Sequence, residues 1–410
     1  MVRRQISYGR QTIDEDDIRA VIDALTSGML TQGPLVDEFE ASLAQYTGAR
    51  YAVVCSSGTA ALHLACLAAG IGPGHSVVTS PMTFLASANC ALYTGAKPLF
   101  ADIDPETLNI DPDQIARRLE REPCVKAVIP VHFAGLPCDL ERIYRMAKER
   151  GVTVIDDACH ALGASWKDSA GRWQKVGSAA FSDMSVFSFH PVKSITTCEG
   201  GAVTTNDAQL YDRLRSLRAH GVVRDAGKLK DRRHAPWYYE MQHLGYNYRL
   251  SDIQCALGLS QLKKLDGFVE RRAQIASIYT KAFGKYPFMR TPAQPGGSRS
   301  AHHLYPALIS FDEMGVCKSR WFELMKEIGI NPQVHYIPVH LHPWYMERFG
   351  YRPGDFPHAE AAYSREVSLP IYPLLKDEEA GAVVEAVIST LACAATHRRP
   401  ESCSRAAANQ

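Results

Sequence analysis

The sequence predicts an α/β protein: a large domain built on a mostly parallel sheet covered by helices, followed by a smaller α+β domain. Three observations carry this. Short β-rich runs alternate with helical segments of about 10–15 residues, the pattern of parallel βαβ units. The runs Ala52-Val53-Val54 and Val152-Thr153-Val154-Ile155 are solidly apolar, as in strands buried on both faces. Beyond residue 205 the alternation stops and a long helical segment follows. A chain of 410 residues allows two to three domains, at roughly 150 residues each.

The first helix follows Thr12-Ile13-Asp14-Glu15, which has capping-box form. Ile18, Val21, Ile22 and Leu25 then recur at helical spacing, and Gly28 is a natural stop. Met29-Leu30-Thr31-Gln32-Gly33-Pro34 reads as a loop, and 35–46 as a second helix. Strands are expected at 51–55, 76–79, 97–100, 125–131 and 152–156, and helices at 59–69, 83–93, 113–120 and 140–149. Two more strands, 184–189 and 201–205, flank a loop. Residues 222–234 are polar and basic, and 251–283 reads as one long helix. An apolar run over 305–311, a helix near 318–328, a Pro- and aromatic-rich stretch over 331–345 and a helix over 377–392 complete the pattern. The expected domains are 1–255 and 256–395, with a disordered tail over 396–410.

Composition narrows the function. Lys+Arg is 45 and Asp+Glu is 44, a balance that speaks against a dedicated nucleic-acid binder. Eleven cysteines without a CxxC pair do not make a secreted disulfide framework. Residues 1–10 lack the apolar core of a signal peptide, and the longest apolar-rich stretch, 59–72, contains His63 and is too short to span a bilayer. The expectation is a cytoplasmic protein with no membrane and no nucleic-acid partner.

Three motifs carry chemistry. Ser56-Ser57-Gly58-Thr59 lies between a strand and a helix, where backbone N–H groups, hydroxyls and the helix dipole can cradle a phosphate; an ordinary N-cap would look the same. Asp156 and Asp157 end a buried strand, the position where open α/β sheets bind ligands, and one of them could hold a protonated ring nitrogen. His160 follows three residues later; a helix cap and a packed histidine are the plainer alternative. Lys193 follows the strand-ending Phe187-Ser188-Phe189-His190-Pro191-Val192 and precedes Glu199-Gly200-Gly201, where glycines let backbone approach a ligand. A desolvated lysine there has a lowered pKa and can form a Schiff base. Phosphate loop, ring-nitrogen carboxylate and Schiff-base lysine together make up a pyridoxal phosphate site. A hydride-transferring enzyme would instead need GxGxxG after its first strand.

On these motifs, with Leu30-Thr31-Gln32-Gly33-Pro34, Asp157-Ala158-Cys159-His160-Ala161 and Gly245-Tyr246-Asn247-Tyr248-Arg249, the chain resembles the DegT/StrS-type sugar aminotransferases over about 6–391. That resemblance implies the type I aspartate aminotransferase-like fold, pyridoxal 5'-phosphate and a homodimer with a shared active site. It makes Lys193 the Schiff-base lysine and proton shuttle, Asp157 the pyridinium partner, and His160 a neighbour of the ring's 3-hydroxyl. Phe84 would stack on the ring, and Ser57, Gly58, Thr59 and Ser188 would hold the phosphate, with Asn247 reaching it from the neighbouring subunit. Tyr8, Leu30, Thr31, Gln32, Gly33, Gln333, Val334, His335 and Tyr336 would line the nucleotide-sugar pocket.

The stretches 187–201 and 333–340 most resemble the members of the family that act in pseudaminic acid biosynthesis. Glutamate would be the donor, a UDP-4-keto-6-deoxy-N-acetylhexosamine the acceptor, and UDP-4-amino-4,6-dideoxy-N-acetyl-L-altrosamine the product. Alternatives are the same chemistry on UDP-4-keto-arabinose or GDP-4-keto-6-deoxymannose, or a non-catalytic cofactor-binding regulator. Family dehydratases carry His in place of the lysine, and here the lysine is present. Cys198 departs from the small residue expected before Glu-Gly-Gly, and Asp156 replaces a Glu. Arg224, Lys228, Lys230, Arg232, Arg233 and His234 are either a solvated loop or a diphosphate contact across subunits. His335, Tyr336, His340 and His342 suit a sugar pocket or core packing better than a metal site, so no metal is expected.

Overall fold

A computed structural model describes residues 5–231 and 235–396. Seven strands form the central sheet: β1 (Tyr51–Cys55), β2 (Ser76–Thr79), β3 (Lys97–Phe100), β4 (Val125–Ile129), β5 (Thr153–Asp157), β6 (Met184–Ser188) and β7 (Gly201–Thr205). Their order is β1-β7-β6-β5-β4-β2-β3, and only β7 runs antiparallel. The expected strands all form, with ends shifted by one or two residues.

Period-2 alternation divides each strand between two cores. Ala52, Val54 and Val154 face one core, with Phe39 and Leu43 of α2 (Pro34–Thr47), Ile115 of α5 (Pro112–Arg121), Ile143 of α6 (Leu140–Lys148) and Leu259 of α8 (Asp252–Phe283). Val53, Cys55 and Ile155 face the other, with α3 (Gly58–Ala68), α4 (Ala86–Tyr93) and α7 (Ala208–Arg218). Solid apolar strands are therefore covered on both faces, as their composition requires.

The single helix α8 crosses the expected 255/256 boundary. Its first half packs Cys255, Leu259, Leu262 and Leu265 against the large sheet. Its second half packs Ile275, Tyr279 and Phe283 against a C-terminal core with Trp321 and Met325. That core also holds a three-stranded antiparallel sheet, β8 (Met289–Arg290), β9 (Tyr305–Ile309) and β10 (Glu366–Leu369), and the last helix, Asp377–Thr396. Among the described residues, no helix is long and apolar enough to cross a membrane. Of the tail expected over 396–410, Thr396 ends the last helix, and 397–410, like Arg232, Arg233 and His234, lies outside the described residues.

Two expectations fail at α1 (Glu15–Thr26). Its N-cap is Asp14, not Thr12, and the capping box closes with Asp17 rather than Glu15. Asp14 accepts from the Asp17 N–H at 3.2 Å, and Asp17 accepts from the Asp14 N–H at 3.0 Å. The covered face of the helix carries Asp17 and Ala24, with Ala20 and Val21 half-buried, rather than the whole apolar stripe. Asp17 is buried against α8, accepting from Gln261 Nε2 at 2.8 Å and pairing with Lys264 Nζ at 2.7 Å. Ile18, Ile22 and Leu25 are 46%, 52% and 52% exposed.

Candidate active site

One edge of the sheet collects the site. Gly201, the first residue of the antiparallel β7, pairs with Cys55 at the end of β1 and with Ser188 at the end of β6. Asp157 ends the neighbouring β5, opposite Val186. Ligands bind at such C-terminal strand edges because loops and helix N-termini converge there.

Beyond β1, Ser57 caps α3 by accepting from the Ala60 N–H at 3.1 Å. Ser57 therefore fills the plainer role, an N-cap, while the helix start at Gly58 still points its first N–H groups at the edge. Gly58 is required by space: a Cβ there would come within 2.8 Å of Ser188 Cβ. Gly201 is required too, but for a reason other than a ligand. A Cβ there would meet the Ser57 carbonyl oxygen at 2.4 Å, so the glycine admits the Ser57 backbone.

Strand alternation assigns the two carboxylates. Asp156 is turned to the far side and sits 3.1 Å from His132 Nε2, both side chains fully buried. Asp157 is turned to the α4 side, where it accepts from Ser87 Oγ at 2.6 Å and from the Cys159 N–H at 3.1 Å. Thr83 Oγ1 supports Ser87 at 2.8 Å. Ser87 was not singled out in the sequence, although a serine buried in the apolar Ala86–Tyr93 helix was the available signal.

Lys193 sits in the loop after β6, which closes on itself through Phe189 N–H to Gly200 O at 2.8 Å. Its amine makes no ion pair among the described residues. Burial lowers its pKa below the ordinary lysine value, opposed by the nearby Cys159 and Asp157 charges. His160 is held well below the usual imidazole range by burial, with Lys193, His335 and His132 adding to the effect. Its Nε2 hydrogen-bonds the Tyr336 hydroxyl at 3.0 Å, while its buried Nδ1 has no partner. Its ring lies 4.4 Å from that of His303, another residue the sequence reading passed over. Phe84 leaves its ring 57% exposed, 6.2 Å from Tyr336. Tyr8 lies 5.1 Å from His335. Gln333 N–H donates to Ser368 O at 3.1 Å, and Val334 N–H to Gln333 Oε1 at 3.0 Å.

Two expected groups stand apart in the single chain. Leu30 to Gly33 are bonded to the start of α8, not to the cradle: Asp252 N–H donates to Leu30 O, Thr31 bridges Ser251, and Gly33 N–H donates to Asp252 Oδ2. Gln32 and Gly33 line a separate cleft of about 590 Å³ with Arg213, Arg224, Lys228 and Arg249. Asn247 is exposed and bridges Ala219. The flanking Tyr246 and Tyr248 stack on each other at 5.0 Å and turn toward His63, 4.9 and 5.9 Å away. Among the described residues no metal-binding cluster occurs, and His340 Nε2 sits 2.9 Å from Glu360.

The sequence matches the DegT/DnrJ/EryC1/StrS aminotransferase family over residues 11–388. It is 42% identical over 383 residues to the spore coat polysaccharide biosynthesis protein SpsC of Bacillus subtilis, covering 93% of this chain and 96% of that protein. It is 40% identical over 387 residues to a UDP-4-amino-4,6-dideoxy-N-acetyl-beta-L-altrosamine transaminase of Campylobacter jejuni, covering 94% and 97%. Its fold is similar to that of Helicobacter pylori PseC, an aminotransferase of pseudoaminic acid biosynthesis, with TM-score 0.85, 32% identity and coverage of 95% and 100%.

Proposed function

Because this chain belongs to the DegT/DnrJ/EryC1/StrS aminotransferase family, we propose that it moves an amino group from glutamate to C4 of a UDP-4-keto-6-deoxy-N-acetylhexosamine. The product would be UDP-4-amino-4,6-dideoxy-N-acetyl-L-altrosamine, in the cytoplasm. The chain is a sugar aminotransferase, and its cofactor is pyridoxal 5'-phosphate. The finer reading is supported by the Campylobacter and Helicobacter relatives. The observation that carries the chemistry is the half-buried Lys193 amine, without an ion pair among the described residues and close enough to Asp157 for that charge to act on it.

The residues present fit the cofactor. Gly58 lets the start of α3 pack directly against Ser188, His160 Nδ1 is buried and unpartnered among the described residues, and the Phe84 ring is bare. Asp157, held by Ser87, would accept the hydrogen bond of the protonated ring nitrogen and keep it protonated; Phe84 would cover the ring. Gly58, Thr59 and Ser188 would hold the phosphate, with Ser57 setting the helix start and Asn247 entering from a second subunit. When bound, the cofactor supplies an electron-withdrawing ring that spreads the negative charge left on carbon after proton loss. Lys193 is the base that takes the α-proton of glutamate and the acid that delivers a proton to C4 of the sugar. Its lowered pKa keeps part of the amine neutral for the first task. Tyr8, Gln333, Val334, His335 and Tyr336 would bind the sugar.

The test is the visible spectrum of the enzyme carrying pyridoxal phosphate, titrated with 4-amino nucleotide sugars. Loss of the visible band with the UDP-N-acetyl-altrosamine compound alone is expected. Loss with only a UDP-pentose or a GDP-sugar would keep the aminotransferase and overturn the acceptor.

A further inference from the structure

Glu366 opens β10 with no exposed surface, an unusual place for a carboxylate. Its Oε2 accepts from the His335 backbone N–H at 2.8 Å, and its Oε1 lies 2.5 Å from Ser368 Oγ. Ser368 Oγ is in turn 2.8 Å from His335 Nδ1. His335 Nε2 has no hydrogen bond among the described residues, while the Lys193 charge reaches the ring.

Proton counting fixes the direction of this chain. On the alkaline side of about 7, where Glu366 is ionised, its carboxylate can only accept, and Ser368 has one hydroxyl proton. Two bare oxygens 2.5 Å apart would repel, so Ser368 must donate to Glu366. Its lone pair then faces Nδ1, which must carry a proton to donate. Burial holds the His335 ring neutral, down to about 3, so Nε2 is left bare. We propose that Glu366 and Ser368 are positioning residues that lock His335 with Nδ1 protonated, so that bare Nε2 accepts a hydrogen bond from the sugar substrate. The matching group is a donor, a ring hydroxyl or an amide N–H. Only the identity of that donor rests on the sugar aminotransferase reading.

Glu366→Gln should reverse the chain without changing its shape. The amide oxygen must still accept from His335 N–H, so the amide N–H₂ faces Ser368. Ser368 then gives its proton to Nδ1, and the ring proton moves to Nε2. Two-bond ¹H–¹⁵N correlation spectra of ¹⁵N-histidine-labelled holoenzyme would report the tautomer. They should be recorded on the alkaline side of Glu366, which burial pushes up to about 7 against the opposing Lys318 cation. The expected result is Nδ1–H in the native enzyme and Nε2–H in Glu366→Gln. With the flip, KM for UDP-4-amino-4,6-dideoxy-N-acetyl-L-altrosamine should rise roughly tenfold, the loss of about one hydrogen bond, with a smaller change in kcat. Nε2–H in the native enzyme, an unchanged tautomer in the variant, or a flip with unchanged KM would each overturn the proposal. If Glu366→Gln does not fold, Ser368→Ala should give a mixture of tautomers, and a single Nδ1–H form there would overturn it. Failure of the acceptor assignment would show separately: no altrosamine compound would react, while the tautomer result would stand.

Discussion

Lys193 reaches the site as a half-buried amine whose pKa is lowered by desolvation, with a consequence for the cofactor-free protein. Folding transfers its charged form out of water, so the folded state holds the proton less tightly than the unfolded chain does. The unfolded state therefore binds more protons between the lowered value and the ordinary lysine value. Stability must rise with pH across that window, with the penalty complete below it. Lys193→Met removes the charge. The cofactor-free variant should be more stable than the native protein near neutral pH, and the gap should close as pH rises through the window. Denaturant unfolding at a series of pH values measures this, and a gap independent of pH would mean the amine is solvated. At this scale much was legible in the sequence. Lys193, Asp157, His160 and Gly58 all lie at the sheet edge, because each follows directly from a strand end. His303, Ser368 and Glu366 were not legible, since each meets a site residue distant in sequence, and Ser87 left only the faint signal of a serine within an apolar helix.

At the scale of elements, α1 is the instructive failure. Its spacing of Ile18, Val21, Ile22 and Leu25 identifies an apolar stripe correctly, yet periodicity says nothing about which surface covers that stripe. The covered face lies beside it instead, with Asp17 and Ala24 buried and Val21 half-buried, and Asp17 held by Gln261 and Lys264 of α8. The strands were easier to read because apolar runs covered on both faces leave one assignment. The Asp17–Lys264 pair has a fully buried acid and a lysine only 22% exposed. Removing the lysine strands a buried carboxylate, a change that costs about 3 kcal/mol or somewhat less for a partly solvated partner. Lys264→Met should lower stability by that order in urea unfolding. Arg320→Met, which breaks only exposed pairs with Glu323 and Glu327, should leave stability nearly unchanged. Equal costs would mean that α1 is held by something other than this contact.

At the scale of the molecule, one chain does not bring all the expected site residues together. Asn247 points outward between two inward-turned tyrosines, and Gln32 and Gly33 border a different cleft. Leu244 and Met241, close to Asn247 in sequence, are 76% and 63% exposed, and Ile18, Ile22 and Leu25 are bare on α1. Exposed apolar area of this kind marks association. The proposed homodimer accounts for both features at once: Asn247 would serve the cradle of the opposite subunit. Mixed dimers decide this. A Lys193→Ala chain has no proton shuttle, and an Asn247→Ala chain has an incomplete phosphate site to offer its partner. If the site is shared, pairing the two chains creates one site with native Lys193 and native Asn247, and a second site lacking both. Unfolding, mixing and refolding the two variants should then restore about a quarter of native turnover, because half the dimers are mixed and each has one good site. If Asn247 acts within its own chain, every site in the mixture lacks one group, and activity stays at the average of the two variants.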